Sequence, residues 1–583
     1  MAVENLITKY IDIWTSAVKT KSTSGRGSSK KLELYGVKKL RELILELAVR
    51  GKLVPQDPSD EPASVLLERI AAEKALLVKE KKIKKPKSLA PIEQDDISYR
   101  LPNGWAAARL GNICNKLTDG SHNPAKDAGL GYPMYSSQNV QFRKIDFSNP
   151  SRYVDEQDYQ KEHARTQVQS GDILLTIVGT LGRAAVVPED APDFVLQRSV
   201  AVIESALNSD FLTYFFAAPI CIKYFEEHGK GTAQKGIYLG KLSLMPVFVP
   251  PLKEQHRIVA KVDELMALCD QLEQQTEASI EAHQVLVTTL LDTLTNSADA
   301  DELMQNWARI SEHFDTLFTT EESIDQLKQT ILQLAVMGKL VPQDPSDEPA
   351  AELLKRIEEE KAQLVKEKKI KKQKALPPIS GDEKPFELPS GWEWCRLGHI
   401  WQDSFYGPRF GKNEYVDEGG YPTIRTTDMT KDGVIELNNP PRVSMSDEKL
   451  KLYALEKGDL LITRSGSIGI MALFDLDIRA IPSAYLIRVR LTDYIYPKFV
   501  LTLLMSPLGQ SYLGINATAV GVPNVNATKM ASFPFPVPSL AEQIKIVEKV
   551  AALFDLCEQL KDCISNTQKQ QLQITETFVE LAV

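Results

Sequence analysis

The sequence predicts an α+β protein built from two copies of one large unit. The stretch Gly51–Ala63 recurs letter for letter at Gly338–Ala350, and this offset of 287 residues also holds for shorter matches on both sides. Each copy continues into a block with short β-rich runs between Gly, Asn and Pro turns. A long helical stretch with an apolar seam follows each block. The predicted fold is therefore two α+β domains held apart by long antiparallel, coiled-coil-like helices, with an internal pseudo-twofold repeat.

Changes of composition divide the chain into six segments. Pro- and Gly-rich turns, a Ser/Gly-rich linker and the switch between helical and strand periodicity mark the boundaries. The predicted segments are an N-terminal helix and linker at 1–30, a helical region at 31–100, an α+β domain at 101–250, a central helical region at 251–387 (long helix 253–295, bridge 296–322, helices 323–376), a second α+β domain at 388–538 and a C-terminal helix at 539–583.

Local signals set several helix ends. Gly51 follows the last apolar residue of a helix predicted over 31–50, where a left-handed C-terminal cap is usual. The run Ser59-Asp-Glu-Pro62 has the residues of a helix start, with a capping side chain, acids and a proline. Within the first α+β domain, one helix is predicted over about 209–227.

Each long helix carries apolar residues at heptad spacing. Such a seam requires a partner helix, and the duplication favours an antiparallel coiled coil formed within the chain. The alternative is a helix that packs on its own domain. The seam residues are Ile258, Val262, Leu265, Cys269 and Leu272 in the first helix, and Ile546, Val550, Leu553, Cys557 and Leu560 in the second.

Composition excludes several classes of protein. No apolar run approaches the roughly 20 residues that span a bilayer. Six cysteines without a C-x-x-C pair or a His/Cys cluster argue against a metal site or a disulfide framework, and indicate a reducing, cytoplasmic setting. The net charge of −9 counts mildly against a nucleic-acid ligand, but the two α+β blocks are close to neutral, with 14 basic and 15 acidic residues in 101–250 and 15 of each in 388–538.

No catalytic motif is present in the sequence. A phosphate-binding G-x-x-x-x-G-K-[ST] loop is missing. Asn438-Asn-Pro-Pro-Arg442 is similar to a methyltransferase tetrapeptide but has arginine where an aromatic ring would stack on the base. The chain is therefore predicted to be non-catalytic and to bind no metal.

Polar side chains instead cluster at matched positions of the two α+β domains. Arg, Lys, Gln and Asn reach base edges of DNA, and Ser, Thr and Lys reach phosphates. Because the two copies differ at these positions, two such domains would read different sequences. The candidates are Ser136, Ser137, Gln138, Asn139, Arg143, Thr180, Arg183, Lys230, Thr232, Gln234 and Lys235 in the first domain, and Arg409, Arg425, Thr426, Thr427, Arg464, Ser465, Ser467, Asn516, Asn524 and Asn526 in the second.

The whole chain resembles the DNA-specificity subunit of a Type I restriction-modification system, in the longer-chained branch of that family. The resemblance is carried by the duplicated unit, the strand Gly171-Asp-Ile-Leu-Leu-Thr176, the loop Gly231-Thr-Ala-Gln-Lys235, the helix entry Pro250-Pro-Leu-Lys-Glu-Gln255 and the stretch Leu47–Pro55. The second copy departs from it at 514–523, where Gly-Ile-Asn-Ala-Thr-Ala-Val-Gly-Val-Pro replaces the loop.

The resemblance implies a function and a set of partners. Two target-recognition domains would each read half of an asymmetric, bipartite site in double-stranded DNA, and the helices would set the spacer. The helices would also dock two methyltransferase subunits, and restriction/translocase subunits would join them. S-adenosylmethionine, ATP and Mg would then be bound by the partner subunits and none by this chain, in the cytoplasm and without a membrane.

Three alternatives stay open at this point. The paired domains could form a scaffold that binds only proteins. The chain could be a fused methyltransferase or nuclease, against which the missing cofactor loop counts. Within the family, it could serve a system that only methylates. The recognised bases and the spacer length do not follow from the sequence.

Overall fold

The structure is a computed structural model of the chain. It describes residues 7–21, 31–83, 85–93, 96–97, 99–231, 234–464, 469–515 and 526–583. The chain forms two compact units, which we call the first unit (residues 1–279 and 567–583) and the second unit (residues 280–566).

The first unit begins with short helices and strands, continues through the first α+β domain and enters a long helix. Its elements are α1 Ile11–Ser16, β1 Lys19–Lys21, β2 Lys31–Glu33, α2 Tyr35–Val49, α3 Ala63–Lys79, β3 Ala106–Arg109, α4 Leu110–Ile113, β4 Cys114–Asp119, β5 Tyr132–Tyr135, β6 Val140–Gln141, β7 Lys144–Ile145, β8 Arg152–Val154, α5 Glu156–Thr166, β9 Ile173–Thr176, β10 Ala184–Val186, β11 Val195–Leu196, β12 Val200–Ser205, α6 Ser209–Ala217, α7 Pro219–His228, α8 Leu239–Leu242, β13 Pro246–Val249 and α9 Leu252–Asn296.

The second unit has a similar order of elements around its α+β domain, with differences among the short strands. Its elements are α10 Ala300–Glu312, α11 Phe314–Leu317, α12 Glu321–Val336, α13 Ala350–Lys366, β14 Glu393–Arg396, β15 Trp401–Tyr406, β16 Tyr415–Val416, β17 Tyr421–Ile424, β18 Arg442–Val443, α14 Asp447–Tyr453, β19 Leu460–Thr463, β20 Met471–Leu473, β21 Ile481–Pro482, β22 Leu486–Leu491, α15 Pro497–Met505, α16 Pro507–Ile515, α17 Ala527–Ala531, β23 Pro534–Val537 and α18 Leu540–Ala582. The boundaries between the units fall inside the long helices α9 and α18.

Each unit has a four-stranded sheet of the same design. The strand order is β10-β9-β12-β4 in the first unit and β20-β19-β22-β15 in the second, and every neighbouring pair is antiparallel. All four residues of β9 and of β19 are buried, as expected for a central strand of a sheet core. The predicted α+β class and the internal repeat are therefore confirmed.

The first and last strands of each α+β domain pair with each other. Strand β3 pairs with β13, so that Ala106 lies opposite Val249, and β14 pairs with β23, so that Glu393 lies opposite Val537. The chain thus leaves each domain beside the point at which it entered.

The repeated stretch Gly51–Ala63 forms a polar joint. Gly51 and Gly338 have φ angles of +67° and +69°, which confirms the predicted left-handed caps. In the first unit, the Gln56 amide and the Trp105 indole N–H both donate to Glu254, at 3.3 and 3.1 Å. The second unit repeats this joint with the corresponding Gln343, Trp392 and Glu542. The same set of side-chain hydrogen bonds therefore connects the short helix, the α+β domain and the long helix in both units.

Three local predictions were wrong. Helix α3 begins at Ala63, directly after the predicted start signal, but Pro62 takes the capping position, no side chain caps the helix and its first turn has no acidic residue; the Ser59 side chain bonds to Asp57 instead. The helix predicted over 209–227 is two helices, because Pro219 begins a new one. The helix predicted over 31–50 begins only at Tyr35, since strands β1 and β2 form a two-stranded sheet on either side of the predicted linker. Residues 22–30 of that linker lie outside the described residues.

The predicted seam residues of both long helices are buried or half-buried. The contacts within each unit place a shorter helix beside them. Arg41 of α2 pairs with Asp270 and Glu273 of α9, at 2.7 and 2.6 Å. In the second unit, Lys328 of α12 pairs with Glu558 of α18 at 2.8 Å. These contacts favour the alternative in which the seam packs on its own unit, while a coiled coil between the two long helices stays a prediction. The seam residues in question are Ile258, Val262, Leu265, Cys269, Leu272, Ile546, Val550, Leu553, Cys557 and Leu560.

Candidate nucleic-acid interface

The ends of several strands meet at one edge of each four-stranded sheet. In the first unit, β4 and β9 end where β10 and β12 begin, with Thr176 opposite Val200 and Asp119 opposite Ala201. In the second unit, Tyr406 at the end of β15 lies opposite Ile487, and Thr463 lies opposite Leu486. We call this the loop edge of each unit, because the loops that join these strand ends lie side by side there.

Three of the loops predicted from the sequence converge at the loop edge of the first unit. Lys230 and Gly236 exchange two backbone hydrogen bonds of 2.9 Å, which close the loop between them. The Gly179 N–H donates to the Lys235 carbonyl at 2.9 Å, and the Ser137 N–H donates to the Ser199 hydroxyl at 3.0 Å.

Several predicted side chains in these loops face solvent. Those that are exposed are Gln138, Thr180, Lys230, Gln234 and Lys235, whereas Ser137 is half-buried and Thr232 lies outside the described residues. Two lysines and two amides are thus presented together at this edge. They are hydrogen-bonding groups of the kind that contact phosphates and bases.

Asn139 and Ser136 belong to the loop's own structure. Asn139 is 3% exposed, accepts the Ser136 N–H at 3.0 Å and donates to the carbonyls of Asp146 and Asn149. The second unit has the same turn, in which the buried Asp428 accepts the Arg425 N–H at 2.7 Å. The Asn139 amide is therefore used inside the loop, and its contact with DNA stays a prediction.

Arg143 was also predicted to contact DNA, and this stays a prediction, although its guanidinium is bound to other groups of the first unit. It donates to the Tyr214 hydroxyl and to Asp263 of α9, and pairs with Asp210 at 3.1 Å. The Arg143 guanidinium is thus bound by two carboxylates and a hydroxyl, which connect this loop to α6 and α9. Arg183 is half-buried, and one of its nitrogens donates to Gln141 at 2.6 Å.

In the second domain, two predicted residues have structural roles. Arg425 forms an ion pair with Asp428 at 2.7 Å, and both of its bonding nitrogens face that carboxylate. Asn526 caps helix α17 by accepting the Lys529 N–H at 2.9 Å. The Arg425 guanidinium is thus bound to Asp428, and the Asn526 amide oxygen is bound to a helix end. That these two side chains contact DNA stays a prediction.

The remaining candidates of the second domain divide into two groups. Arg409 and Thr427 are exposed, and Thr426 is half-buried. Ser465, Ser467, Asn516 and Asn524 lie outside the described residues, so their predicted role stays a prediction.

Arg464 lies at the loop edge of the second unit beside Tyr406, and the sequence did not identify Tyr406 or the nearby Tyr485 as candidates. The Arg464 guanidinium carbon lies 4.5 Å from the ring centre of Tyr406, and the Arg464 backbone N–H donates to the Tyr485 carbonyl at 3.0 Å. The Tyr406 hydroxyl accepts the Ala527 N–H at 3.1 Å, which fixes the ring. Tyr406 is 39% and Tyr485 63% exposed. The signal that could have found Tyr406 is its place at the end of a β-rich run, directly before Gly407-Pro408.

The same place in the first unit has different chemistry. Asp119 occupies the end of β4, where it accepts from Arg165 at 2.6 Å and lies 2.9 Å from His122. Arg198, also missed from the sequence, is exposed in the turn before β12. Among the described residues, the two loop edges lie at corresponding ends of sheets with the same strand order and present different side chains.

Within the described residues, no cluster of His, Cys, Asp and Glu side chains could hold a metal ion. Among the same residues, the helices include none with both the length and the apolar character needed to cross a membrane.

Comparison with known proteins places these features in context. Residues 102–282 and 389–570 match the family described as Type I restriction modification DNA specificity domain. The chain is 43% identical to the Type I restriction enzyme EcoAI specificity subunit of Escherichia coli, and 42% identical to the EcoEI specificity subunit of the same organism, over the whole length of both chains in each case. A solved chain of the type I R-M system has 18% identity and a TM-score of 0.47 over 83% of this chain and 98% of its own. The HsdS subunit of Thermoanaerobacter tengcongensis has 17% identity and a TM-score of 0.38 over the same shares.

Proposed function

Because this chain belongs to the Type I restriction-modification DNA-specificity family, we propose that each of its α+β domains reads one half of an asymmetric, bipartite site in double-stranded DNA. The observation that carries the proposal is the pair of loop edges, which lie at corresponding ends of sheets with the same strand order and carry different polar side chains among the described residues. A protein with two identical heads would read a symmetric site, whereas two unlike heads in one chain read an asymmetric one.

The charges at the loop edges are compatible with DNA in spite of the net charge of −9. Lys230 and Lys235 are exposed in the first domain, and Arg409 is exposed in the second. Local positive side chains are sufficient to neutralise phosphates, and each contact makes the binding more sensitive to salt. Recognition, and not catalysis, is the role of this chain.

The proposed partners are two methyltransferase subunits and the restriction/translocase subunits, in a cytoplasmic complex. Exposed apolar side chains at matched positions of the long helices support a partner that binds twice. Leu268 of α9 corresponds to Leu556 of α18, and Leu286 corresponds to Ile574, and all four are more than 40% exposed. Repeated apolar positions on solvated helices favour two copies of one protein partner. S-adenosylmethionine would be held by the methyltransferase subunits, and ATP and Mg by the translocase.

The test is to express the full chain with the methyltransferase encoded beside it and to map methylated adenines in the host DNA. We expect one asymmetric motif in two parts with a fixed spacer. A short continuous motif would support DNA recognition by the chain but would contradict the proposal that each domain recognises a separate half-site. A complex that forms but methylates no motif would favour the protein-only scaffold.

A variant pair tests the loop edge of the first domain directly. Changing Lys230 and Lys235 to alanine removes two exposed cations, so the slope of log K against log salt should become less steep by about two for duplex DNA. The matched control is Lys223→Ala, which removes an exposed lysine of α7 that pairs with Glu227 at 3.9 Å. If the wild type, the Lys230/Lys235 double variant and the Lys223 variant all had the same salt slope, this loop edge would not contact the DNA phosphates.

A further inference from the structure

We propose that Arg464 reads a guanine in the half-site of the second domain, by donating two hydrogen bonds to O6 and N7 in the major groove, and that Tyr406 positions it. This inference rests on the proposed function and goes beyond it, because it names the base and the residue.

Arg464 stands at the loop edge, where its backbone is held by the sheet and its side chain lies on a tyrosine ring. It follows the last residue of β19 directly, and its backbone N–H donates to the Tyr485 carbonyl at 3.0 Å. Its guanidinium carbon is 4.5 Å from the centre of the Tyr406 ring. Since the Tyr406 hydroxyl is itself held by the Ala527 N–H, the ring provides a fixed surface for the guanidinium.

A guanidinium on an aromatic ring keeps its donors available. The ring takes one face of the plane, and the N–H groups project from the edge of that plane. A planar pair of donors matches two acceptors side by side, and guanine is the base that offers two acceptors in the major groove. Adenine offers one acceptor and one donor there, so the same fork discriminates against it.

Several other arginines of the domain, although not the exposed Arg409 and Arg479, have side chains bound to carboxylates or carbonyls. Arg425 is paired with Asp428, Arg488 with Asp403, and Arg490 with Asp459 and Glu456. Arg442 donates to two glycine carbonyls. Within the part of the chain that the structure describes, the Arg464 side chain contacts the Tyr406 ring and no carboxylate.

The first unit has no arginine at this place. Ile177 follows β9 there, and its N–H donates to the Ser199 carbonyl as that of Arg464 does to Tyr485. The ring position of Tyr406 is taken by Asp119. The guanine contact is therefore assigned to one half-site only.

The experiment compares wild type with Arg464→Ala and Arg464→Lys, each as the full chain with its methyltransferase partner. The probe is a duplex pool in which both half-sites are randomised, and the readout is the bound or methylated fraction at every position. We expect Arg464→Ala to lose about 5- to 150-fold discrimination at one G·C pair of one half-site, with the other positions unchanged. Arg464→Lys keeps the charge but not the fork, so it should lose most of the same discrimination.

Other results would overturn the assignment. A uniform loss of affinity over all sequences, with a salt slope less steep by about one, would make Arg464 a phosphate contact. The assignment would also be overturned if the variant had the same base preference as wild type at every position, or if its preference changed at an A·T pair. If wild type itself shows no bipartite preference, the proposed function fails, and that result is visible before any variant is compared.

Tyr406 provides a second and independent readout. Tyr406→Leu removes the aromatic face and should reduce discrimination at the same G·C pair, while Tyr406→Phe keeps the ring and should retain most of it. A matched control is Arg479→Ala, which removes an exposed arginine after β20, at the end of the sheet away from the loop edge. Loss at the same G·C pair in the Arg479 variant, or equal behaviour of the two Tyr406 variants, would remove the positioning role.

Discussion

At the scale of single residues, each unit contains a buried carboxylate that the joint requires. Glu254 is 1% and Glu542 is 4% exposed, and each accepts the N–H of a tryptophan. Burial raises the pKa of Glu254 and of Glu542 above the ordinary value of 4.5, although the hydrogen bonds from the tryptophan and glutamine act in the opposite direction. In the window above the ordinary value, the folded state therefore binds protons that the unfolded state has released.

The sign of the pH effect follows from this difference. Because a folded-state pKa is raised, these two groups contribute less to stability as pH rises from 4.5 through the raised values. Glu254→Gln keeps an oxygen for the Trp105 N–H and removes the titrating group. The free energy of unfolding of the variant should therefore fall less with rising pH in that window than that of the wild type. Urea unfolding between about pH 4 and 7 measures this dependence. A steeper dependence in the variant would show that the carboxyl is stabilised as the anion.

Trp105→Phe is the complementary variant. It removes the indole N–H and leaves a buried carboxylate with one donor fewer, so we expect it to destabilise the fold by about 1.5–3 kcal/mol near neutral pH. The pairing of these residues could not be predicted from the sequence, because they lie 149 positions apart. The same holds for Arg143, whose partner Asp263 is 120 positions away. Exposure of Lys230 and Lys235 was predictable, since a Gly-rich loop rarely buries lysine.

At the scale of elements, glycine and proline were the most reliable signals where they act locally. The cap at Gly51 was predicted correctly from its place after an apolar helix. A new helix begins at Pro219, and the prediction of one helix over 209–227 did not take this proline into account. The strands β1 and β2 have three residues each, which is too short for an alternation of polar and apolar residues to show. Their pairing across the linker is a tertiary feature of the chain.

A pair of glycines in the second unit separates backbone strain from steric clash. Gly338 and Gly419 have nearly equal φ angles of +69° and +71°. A Cβ on Gly338 would lie 2.5 Å from Pro389 and 3.0 Å from Trp392, whereas no described atom lies within 4 Å of a Cβ on Gly419. Gly419→Ala should therefore show only the strain of about 1–2 kcal/mol, and Gly338→Ala should lose about 1–3 kcal/mol more, as overpacking does.

Chemical denaturation of the two alanine variants measures that difference. Since the φ angles match, the strain contributes equally to both variants, and the excess belongs to the contact with Pro389 and Trp392. Equal losses would mean that the joint can shift to accept a methyl group. The packing around Gly338 would then be less rigid than the identical sequence of the joint in both units suggests.

At the scale of the whole molecule, the duplication was evident from the sequence but the limits of the units were not. The offset of 287 residues predicted two copies. The first unit nevertheless includes residues 567–583. There, Phe578 contacts Trp14 and Tyr10, and Glu576 accepts from the Tyr35 hydroxyl at 2.6 Å. No periodicity identifies such a partner, because the C-terminal helix has the same pattern whichever helix it packs on.

The α+β domains are the parts that the structure predicts to be exchangeable. Strands β3 and β13 close the first domain on itself, so residues 101–250 can be replaced by the equivalent segment of another family member without dividing a strand pair. The buried contact from Trp105 to Glu254 crosses this junction, so the graft must keep a tryptophan at that position. We expect the exchange to change one half of the methylated motif and to leave the other half and the spacer unchanged. Exchange of residues 388–538 is the matched control, and it should change only the other half. If one exchange altered both halves, the domains would not read independently, and the loop edges could not each be assigned to one half-site.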